Sequence, residues 1–335
     1  MKLLFECLGL SSKLHSFELR NFRWHTETSS SRSRDEISIL DTFKWFLESQ
    51  ICLTKFLVQK TWFSEQVGME ILKCIIGKNI SLTELGLIQF FESDIDISND
   101  AEFHEYFKLL PNLEILKLSY QCVSTKVLDI LCFPETSFIK YLYVRCHYTE
   151  SLSKTIPYLS WLKFRQTHRN ALVTFEITEI VRREDVARLL PEAIQVNNVK
   201  YSCGYTLRTD GNLQTDGSTT VQYLSTAFSE SLQIIHLDFG FFSILHLDDA
   251  IINLCQTCKD LIRINVIGVF PVRLAERLCE TVLQENSALQ VISLIFHFAS
   301  FEDQYQIRQV QDYRQQLKDR GVQFDFNLLA YYTYI

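Results

Sequence analysis

One pattern recurs along this sequence: an apolar residue, two residues of any kind, a second apolar residue, one of any kind, and a third apolar residue. It stands at Leu14/Phe17/Leu19, Leu53/Phe56/Val58, Leu82/Leu85/Leu87, Leu113/Leu116/Leu118, Ile139/Leu142/Val144, Leu172/Phe175/Ile177, Val196/Val199/Tyr201, Leu232/Ile235/Leu237, Leu261/Ile264/Val266 and Leu289/Ile292/Leu294. From position 14 to position 289 is 275 residues in nine steps, a period of about 31, and a fixed period of this size marks a repeat architecture. In a chain that is 47% hydrophobic such a triple arises by chance about once in ten positions, so the sequence between the triples decides.

Between consecutive triples there is nearly always one segment with apolar residues at three- and four-residue spacing and polar residues on the other side, which predicts a helix. These segments are Asp41 to Glu48, Glu65 to Ile76, Thr125 to Cys132, Glu184 to Ala193, Val221 to Ser229, Asp248 to Cys258 and Val272 to Gln284. A strand, a turn and a helix that return each time to a strand of the same direction form a parallel β/α pattern. Two architectures satisfy it, a doubly wound sheet and a curved solenoid. The first buries both sheet faces, so its strands read as near-continuous apolar runs. Here polar residues alternate instead: Lys117 and Ser119 around Leu118, Glu176 and Thr178 around Ile177, Lys200 and Ser202 around Tyr201, His236 and Asp238 around Leu237.

One sheet face is therefore expected against helices and the other open. The predicted fold is α/β: a leucine-rich-repeat-like curved solenoid of about ten irregular strand-turn-helix repeats over residues 1–335, with a parallel sheet on the concave side. Residues 322–335 are read as a C-terminal cap: the apolar members of the last strands, Ile234, Ile267, Val291 and Ile295, either form a docking patch or are covered by Phe324 to Tyr332, and a capping tail is the commoner use of such a segment.

The chain contains only 10 glycines, and no two of them lie two residues apart, so neither a G-x-G-x-x-G turn nor a phosphate-cradling P-loop can be written. Lys plus Arg total 33 against 40 Asp plus Glu, a formal net charge of -7, and no basic run is interleaved with aromatics, so nucleic acid is not expected as a partner. Ten cysteines spread singly along the chain, most of them in apolar stretches, read as reduced, buried thiols of an intracellular protein, cytoplasmic or nuclear. Glu6 interrupts the apolar opening, which argues against a signal peptide, and no apolar stretch reaches bilayer length, so no membrane partner is expected.

No catalytic or metal site is assigned, and no cofactor. Cys255-Gln256-Thr257-Cys258 lacks the second ligand pair that zinc requires and lies on a helical stretch. Phe103-His104-Glu105-Tyr106 begins like a metalloprotease helix, but position 108 is Lys where a second His is needed. There is no Gly-x-Ser-x-Gly elbow, and the expectation is a non-enzyme.

The open face carries the binding expectation. Period-two alternation points Lys117, Ser119, Tyr143, Arg145, Glu176, Lys200, His236, Asp238, Asn265 and Ile267 into the concavity as a protein-recognition surface mixing charge, aromatic and amide groups. Two polar inserts are read as loops: Thr26 to Glu36, a serine-rich candidate for phosphorylation, and Gly204 to Thr219, with two Thr-Asp-Gly turns.

The run Leu110-Pro111-Asn112-Leu113-Glu114-Ile115-Leu116-Lys117-Leu118-Ser119-Tyr120-Gln121-Cys122-Val123-Ser124 resembles the divergent leucine-rich region of the F-box only protein family, in particular its F-box only protein 39-like members. The resemblance continues through Phe138 to Cys146, Phe175 to Arg188, Ser231 to Leu237, Leu261 to Phe270, Arg273 to Gln284 and Ala288 to Phe298, and covers most of the chain after about residue 80. It implies a substrate-recognition region of an SCF-type E3 ubiquitin ligase, in which the repeats hold a protein substrate and a separate F-box module docks the cullin adaptor.

No F-box pattern precedes Leu14, so the expectation is a truncated product or a relative lacking that module, and docking of the cullin adaptor by this chain alone is not expected. The alternative is a free-standing leucine-rich scaffold or inhibitor unrelated to ubiquitination. The Asn or Cys that ordinary leucine-rich repeats carry three residues past the third apolar position is also missing, replaced by Thr61, Phe90, Gln121, Gly204 and Gly240 among others.

Overall fold

The computed structural model describes residues 3, 5–7, 13–22, 34–79, 81–133, 138–150, 154–204, 214–284, 287–297 and 303–329. The chain forms two compact units, Met1–Arg145 with Thr149–Ala171, and Cys146–Tyr148 with Leu172–Ile335. Both consist of parallel strands alternating with helices. The first contains β1 (Ser16–Arg20), α1 (Arg34–Ser49), β2 (Lys55–Gln59), α2 (Glu65–Ile76), β3 (Glu84–Leu87), α3 (Ala101–Lys108), β4 (Ile115–Ser119), α4 (Thr125–Leu131), β5 (Tyr141–His147) and α5 (Tyr158–Thr167). The second contains β6 (Leu172–Thr178), α6 (Arg183–Leu189), β7 (Asn198–Ser202), α7 (Gln214–Ala227), β8 (Ile234–Ser243), α8 (Leu247–Thr257), β9 (Arg263–Val269), α9 (Arg273–Gln284), β10 (Val291–His297), α10 (Asp303–Asp319) and β11 (Gln323–Leu329).

Within each unit the strands pair in chain order. A doubly wound sheet reverses its order at a switch point, and neither unit does.

The apolar triples stack in register. Phe56 lies beside Leu85, Leu85 beside Leu116, and Leu116 beside Leu142, while Leu87, Leu118 and Val144 form the next row. In the second unit Phe175, Val199, Ile235, Ile264, Ile292 and Phe324 make one row, and Ile177, Tyr201, Leu237, Val266, Leu294 and Phe326 the other. From Phe56 to Leu294 the second and third residues of every triple are no more than 1% exposed. No single coil has enough apolar neighbours to bury these rows alone, so stacking supplies the core.

One triple departs from the pattern. Leu172 is 51% exposed, and Val173, at 4%, turns inward in its place, with its N–H and carbonyl both held by Asn197.

A backbone device fixes the register. At seven of the triples the carbonyl of the residue just after the first apolar position accepts two successive N–H groups of the next coil. His15 O takes Thr54 N and Lys55 N, Thr54 O takes Thr83 N and Glu84 N, Thr83 O takes Glu114 N and Ile115 N, and Glu114 O takes Lys140 N and Tyr141 N. The second unit repeats it at Asn197 O, Gln233 O and Ile262 O, all at 2.7–3.1 Å. Side-chain amides add to it in the first unit. Gln50 Oε1 accepts from Leu14 N at 2.9 Å and Asn79 Oδ1 from Leu53 N at 3.0 Å, each from three residues before the following triple.

The missing asparagine positions are partly filled by other means. Thr61 Oγ1 donates to Phe90 O at 3.3 Å, and Gln121 Nε2 to Glu92 O at 3.1 Å. At Gly204 and Gly240 the backbones approach directly, since a Cβ on Gly204 would lie 3.0 Å from Gly240 Cα.

Helices cover the face that carries the apolar rows. Phe17 of β1 packs on Phe43 and Phe46 of α1, with ring centroids 5.9 and 5.5 Å apart. Successive helices are joined on their outer sides by Lys44–Glu70 at 2.9 Å, Lys163–Asp129 at 2.8 Å and Arg277 to Asp248 and Asp249, both at 2.9 Å.

Three expectations change. Gln214–Ala227 is helical, so Gln214 to Thr219 is not loop, and residues 205–213 lie outside the described residues. Gly217 serves close packing there: a Cβ would come within 2.9 Å of Ile244 Cδ1. Of the serine-rich segment, Arg34 to Glu36 open α1 and residues 26–33 lie outside the described residues. Residues 323–329 pair in parallel with β10 as a further strand rather than folding over a face, because Phe324 and Phe326 alternate with Asp325 and Asn327 and extend the apolar rows.

Gly68 tests how tightly α2 is seated. An added Cβ would collide with Cε1 and Cδ1 at the edge of the Phe91 ring, which is 1% exposed and makes edge contacts with Phe90 at 4.9 Å and Phe103 at 6.1 Å. Helix propensity alone favours Ala over Gly by about 1 kcal/mol. We predict the opposite sign for Gly68→Ala, a loss of about 1–3 kcal/mol in urea unfolding, because the overpacked ring has nowhere to move. A gain in stability would contradict this packing.

Candidate functional site

The expected recognition residues divide between the two units. In the first unit the strand positions facing away from the helices form rows: Lys55, Glu84, Ile115 and Tyr141 in one, Leu57, Gly86, Lys117 and Tyr143 in the next, then Ser119 beside Arg145. Lys117, Tyr143 and Arg145 are half-buried on this face. Glu84 is its electrostatic centre, with Lys117 Nζ at 2.7 Å and Lys55 Nζ at 3.4 Å. Burial works to raise the Glu84 pKa, but the hydrogen bond and charge of Lys117, followed by those of Lys55, hold the carboxyl below its ordinary range.

Leu57 stands in this polar row yet is only 1% exposed, because it lies across Gly86, which has no side chain to exclude it. Ser119 is fully buried, and its Oγ accepts the Gln89 N–H at 2.8 Å. It closes a turn instead of facing a partner, because the alternation of β4 ends where Tyr120–Cys122 coil into a 3₁₀ turn.

Beneath that turn lies a cluster the sequence did not signal. Glu150 is 5% exposed, and its Oε2 accepts Gln121 N–H at 3.3 Å. Burial is the largest influence and pushes its pKa up to about 7, against the opposing pull of the Gln121 N–H, the Arg145 charge and the Ser119 hydroxyl. Lys154 sits 5.8 Å above the Tyr120 ring and 3.4 Å from Asp96, with burial lowering its pKa against the carboxylate. A charged residue between repeats leaves no periodic trace, so only the folded chain brings these groups together.

In the second unit Glu176, Lys200, His236, Asn265, Ser293 and Asp325 lie side by side on six strands. Thr178, Ser202, Asp238, Ile267, Ile295 and Asn327 form the adjacent row. Lys200 is exposed, and Glu176, His236, Asp238, Asn265 and Ile267 are half-buried. Burial lowers the His236 pKa below its ordinary 6.5, Asp238 and Glu176 raise it and Lys200 lowers it, so the imidazole is neutral at pH 7. Asp238 also has a structural role: its Oδ1 accepts Gly240 N–H at 2.9 Å, where a φ of 59° and a register shift mark a bulge in β8.

Cys255 and Cys258 are both buried, Cys258 Sγ donates to Ser225 O at 3.6 Å, and burial pushes its pKa up to about 12, far from thiolate reactivity. His104 Nε2 lies 2.7 Å from Ser98 O within its own unit. Among the described residues no three His, Cys, Asp or Glu side chains are grouped to hold a metal ion, and no helix is long and apolar enough to cross a membrane.

Glu150 gives a signed pH dependence. Its folded pKa of about 7 exceeds the ordinary 4.5, so the folded state holds the proton more firmly, and its contribution to stability falls as pH rises from 4.5 through about 7. The full span corresponds to about 3 kcal/mol. Asp96 and Glu84, whose pKa values are lowered, act in the opposite sense and at lower pH, losing their contribution as acid protonates them. Glu150→Gln should therefore be relatively more stable than the parent above pH 7 than at pH 4.5, measured as the difference in urea unfolding free energy. Parallel pH profiles for the two proteins would refute the assignment.

No protein-family model matches this sequence.

Proposed function

We propose that the chain is a non-enzymatic, leucine-rich-repeat-like solenoid that binds a protein partner through the polar faces of its strands, in the manner of the substrate-recognition region of an SCF-type E3 ubiquitin ligase F-box protein. One observation carries the binding reading: the rows facing away from the helices are chemically mixed and in register across parallel strands, while the rows beneath them are uniformly apolar. Mixed charge, tyrosine and amide groups on an ordered backbone suit the core and rim of a protein interface. The ligase connection rests on the sequence resemblance over Leu110 to Ser124 and the later repeats.

The test begins with proximity labelling to identify a partner, which is then purified for titration. Lys200→Glu combined with His236→Glu should weaken that partner about tenfold, as expected for reversing and adding charge at a contacted face, and leave the melting temperature unchanged. If neither this variant nor charge reversal on the first unit's face altered affinity, the strand-face reading would fail. Co-purification addresses the ligase: these 335 residues should not retain the cullin adaptor by themselves, and stable capture would show an adaptor-docking element within them.

A further inference from the structure

The two polar faces differ in charge, and the difference identifies what the first can hold. Its outward strand positions from β1 to β5 carry Arg20, Lys55, Lys117 and Arg145 against Glu18 and Glu84, a surplus of two positive charges (4 − 2 = 2) in a chain whose net charge is -7. The corresponding positions of β6 to β11 carry Lys200 and Arg263 against Glu176, Asp238 and Asp325, a deficit of one (2 − 3 = −1).

The geometry around Glu84 sharpens the contrast. A single carboxylate serves two ammonium groups, and it is the deepest of the three, 13% exposed against 34% for Lys55 and 25% for Lys117. An approaching molecule meets the lysines before the carboxylate. Beside Lys117 in the register stands Tyr143, with Tyr141 two residues earlier on the same face, and tyrosine is among the residues most often carrying interface energy.

We propose that the face built by β2 to β5 binds an acidic peptide segment of a partner protein, with Lys55 and Lys117 taking its carboxylates and Tyr141 and Tyr143 packing on its apolar residues. The proposal rests on the strand-face reading above and adds the chemistry of the partner. A nucleic-acid backbone fits less well, because its regularly spaced phosphates call for a line of cations, and here Lys55 and Lys117 stand together on one carboxylate with tyrosines beside them.

Selection from a random twelve-residue peptide library displayed on phage, against the full chain, tests it. Enriched sequences should be rich in Asp and Glu, and after synthesis should bind with an affinity that weakens as salt rises. Lys55→Gln with Lys117→Gln, which removes both charges and keeps a polar side chain at each site, should weaken them about tenfold. Glu84→Gln should tighten them about threefold, because it releases both lysines, an effect that simple loss of structure would not produce. Basic or uncharged winners, no enrichment at all, unchanged binding by the double variant, preferential binding of a single-stranded oligonucleotide, or self-association through this face in sedimentation would each overturn the proposal. If the partner found by labelling is weakened by Lys200→Glu with His236→Glu while the acidic peptides fail, the inference falls and the strand-face reading stands.

Discussion

Everything in this chain depends on apolar rows that no coil can bury alone. A triple such as Leu113/Leu116/Leu118 presents its side chains to solvent unless the coils before and after supply matching rows at the same height. Register is therefore an energetic requirement: a slip of one residue would turn Leu116 and Leu118 to the open face and bring Lys117 into the core. The polar faces are ordered for the same reason. Glu84 comes between Lys55 and Lys117 because the apolar residues beside them are held in line, so the charge pattern is a by-product of core packing.

The two units solve this problem with different auxiliary devices. The first relies on side-chain amides, Gln50 and Asn79, and on phenylalanine clusters such as Phe63, Phe90, Phe91 and Phe103. The second has one such amide, Asn197 on Val173 N–H, and relies otherwise on glycine, where Gly204 and Gly240 allow backbones to approach and the bulge in β8 absorbs the mismatch. Polar groups buried near the turns, including Thr61, Gln121 and Glu150, bond to neighbouring backbone, which offsets the cost of removing them from water.

Strands were legible from sequence because a two-residue alternation and a fixed period leave a clear trace. All ten triples fall on strands or at their entry, and the helix expected over Glu65 to Ile76 has those bounds. Helices were lost where apolar residues do not keep to one side. In α5, Trp161 and Phe164 are buried while Tyr158 and Leu159 are exposed, so the periodicity blurs. In α10, Val310 and Leu317 are buried seven residues apart in an otherwise polar helix. On the candidate faces, alternation placed Lys117, Tyr143, Lys200 and His236 but failed at Ser119 and Leu57. The turn after β4 and the notch at Gly86 decide those two sites, and neither has a periodic signal.

The carbonyl that accepts two N–H groups at seven strand entries belongs to His15, Thr54, Thr83, Glu114, Asn197, Gln233 and Ile262, residues of six different types. The clamp is made by a group every amino acid carries, so mutation at those positions can alter charge, size and polarity without loosening it. Only proline is excluded on the donor side, and the five prolines at 111, 134, 157, 191 and 271 all fall elsewhere. A fold held this way can drift far in sequence while its coils remain stacked, and the record of its ancestry then survives in spacing more than in residue identity.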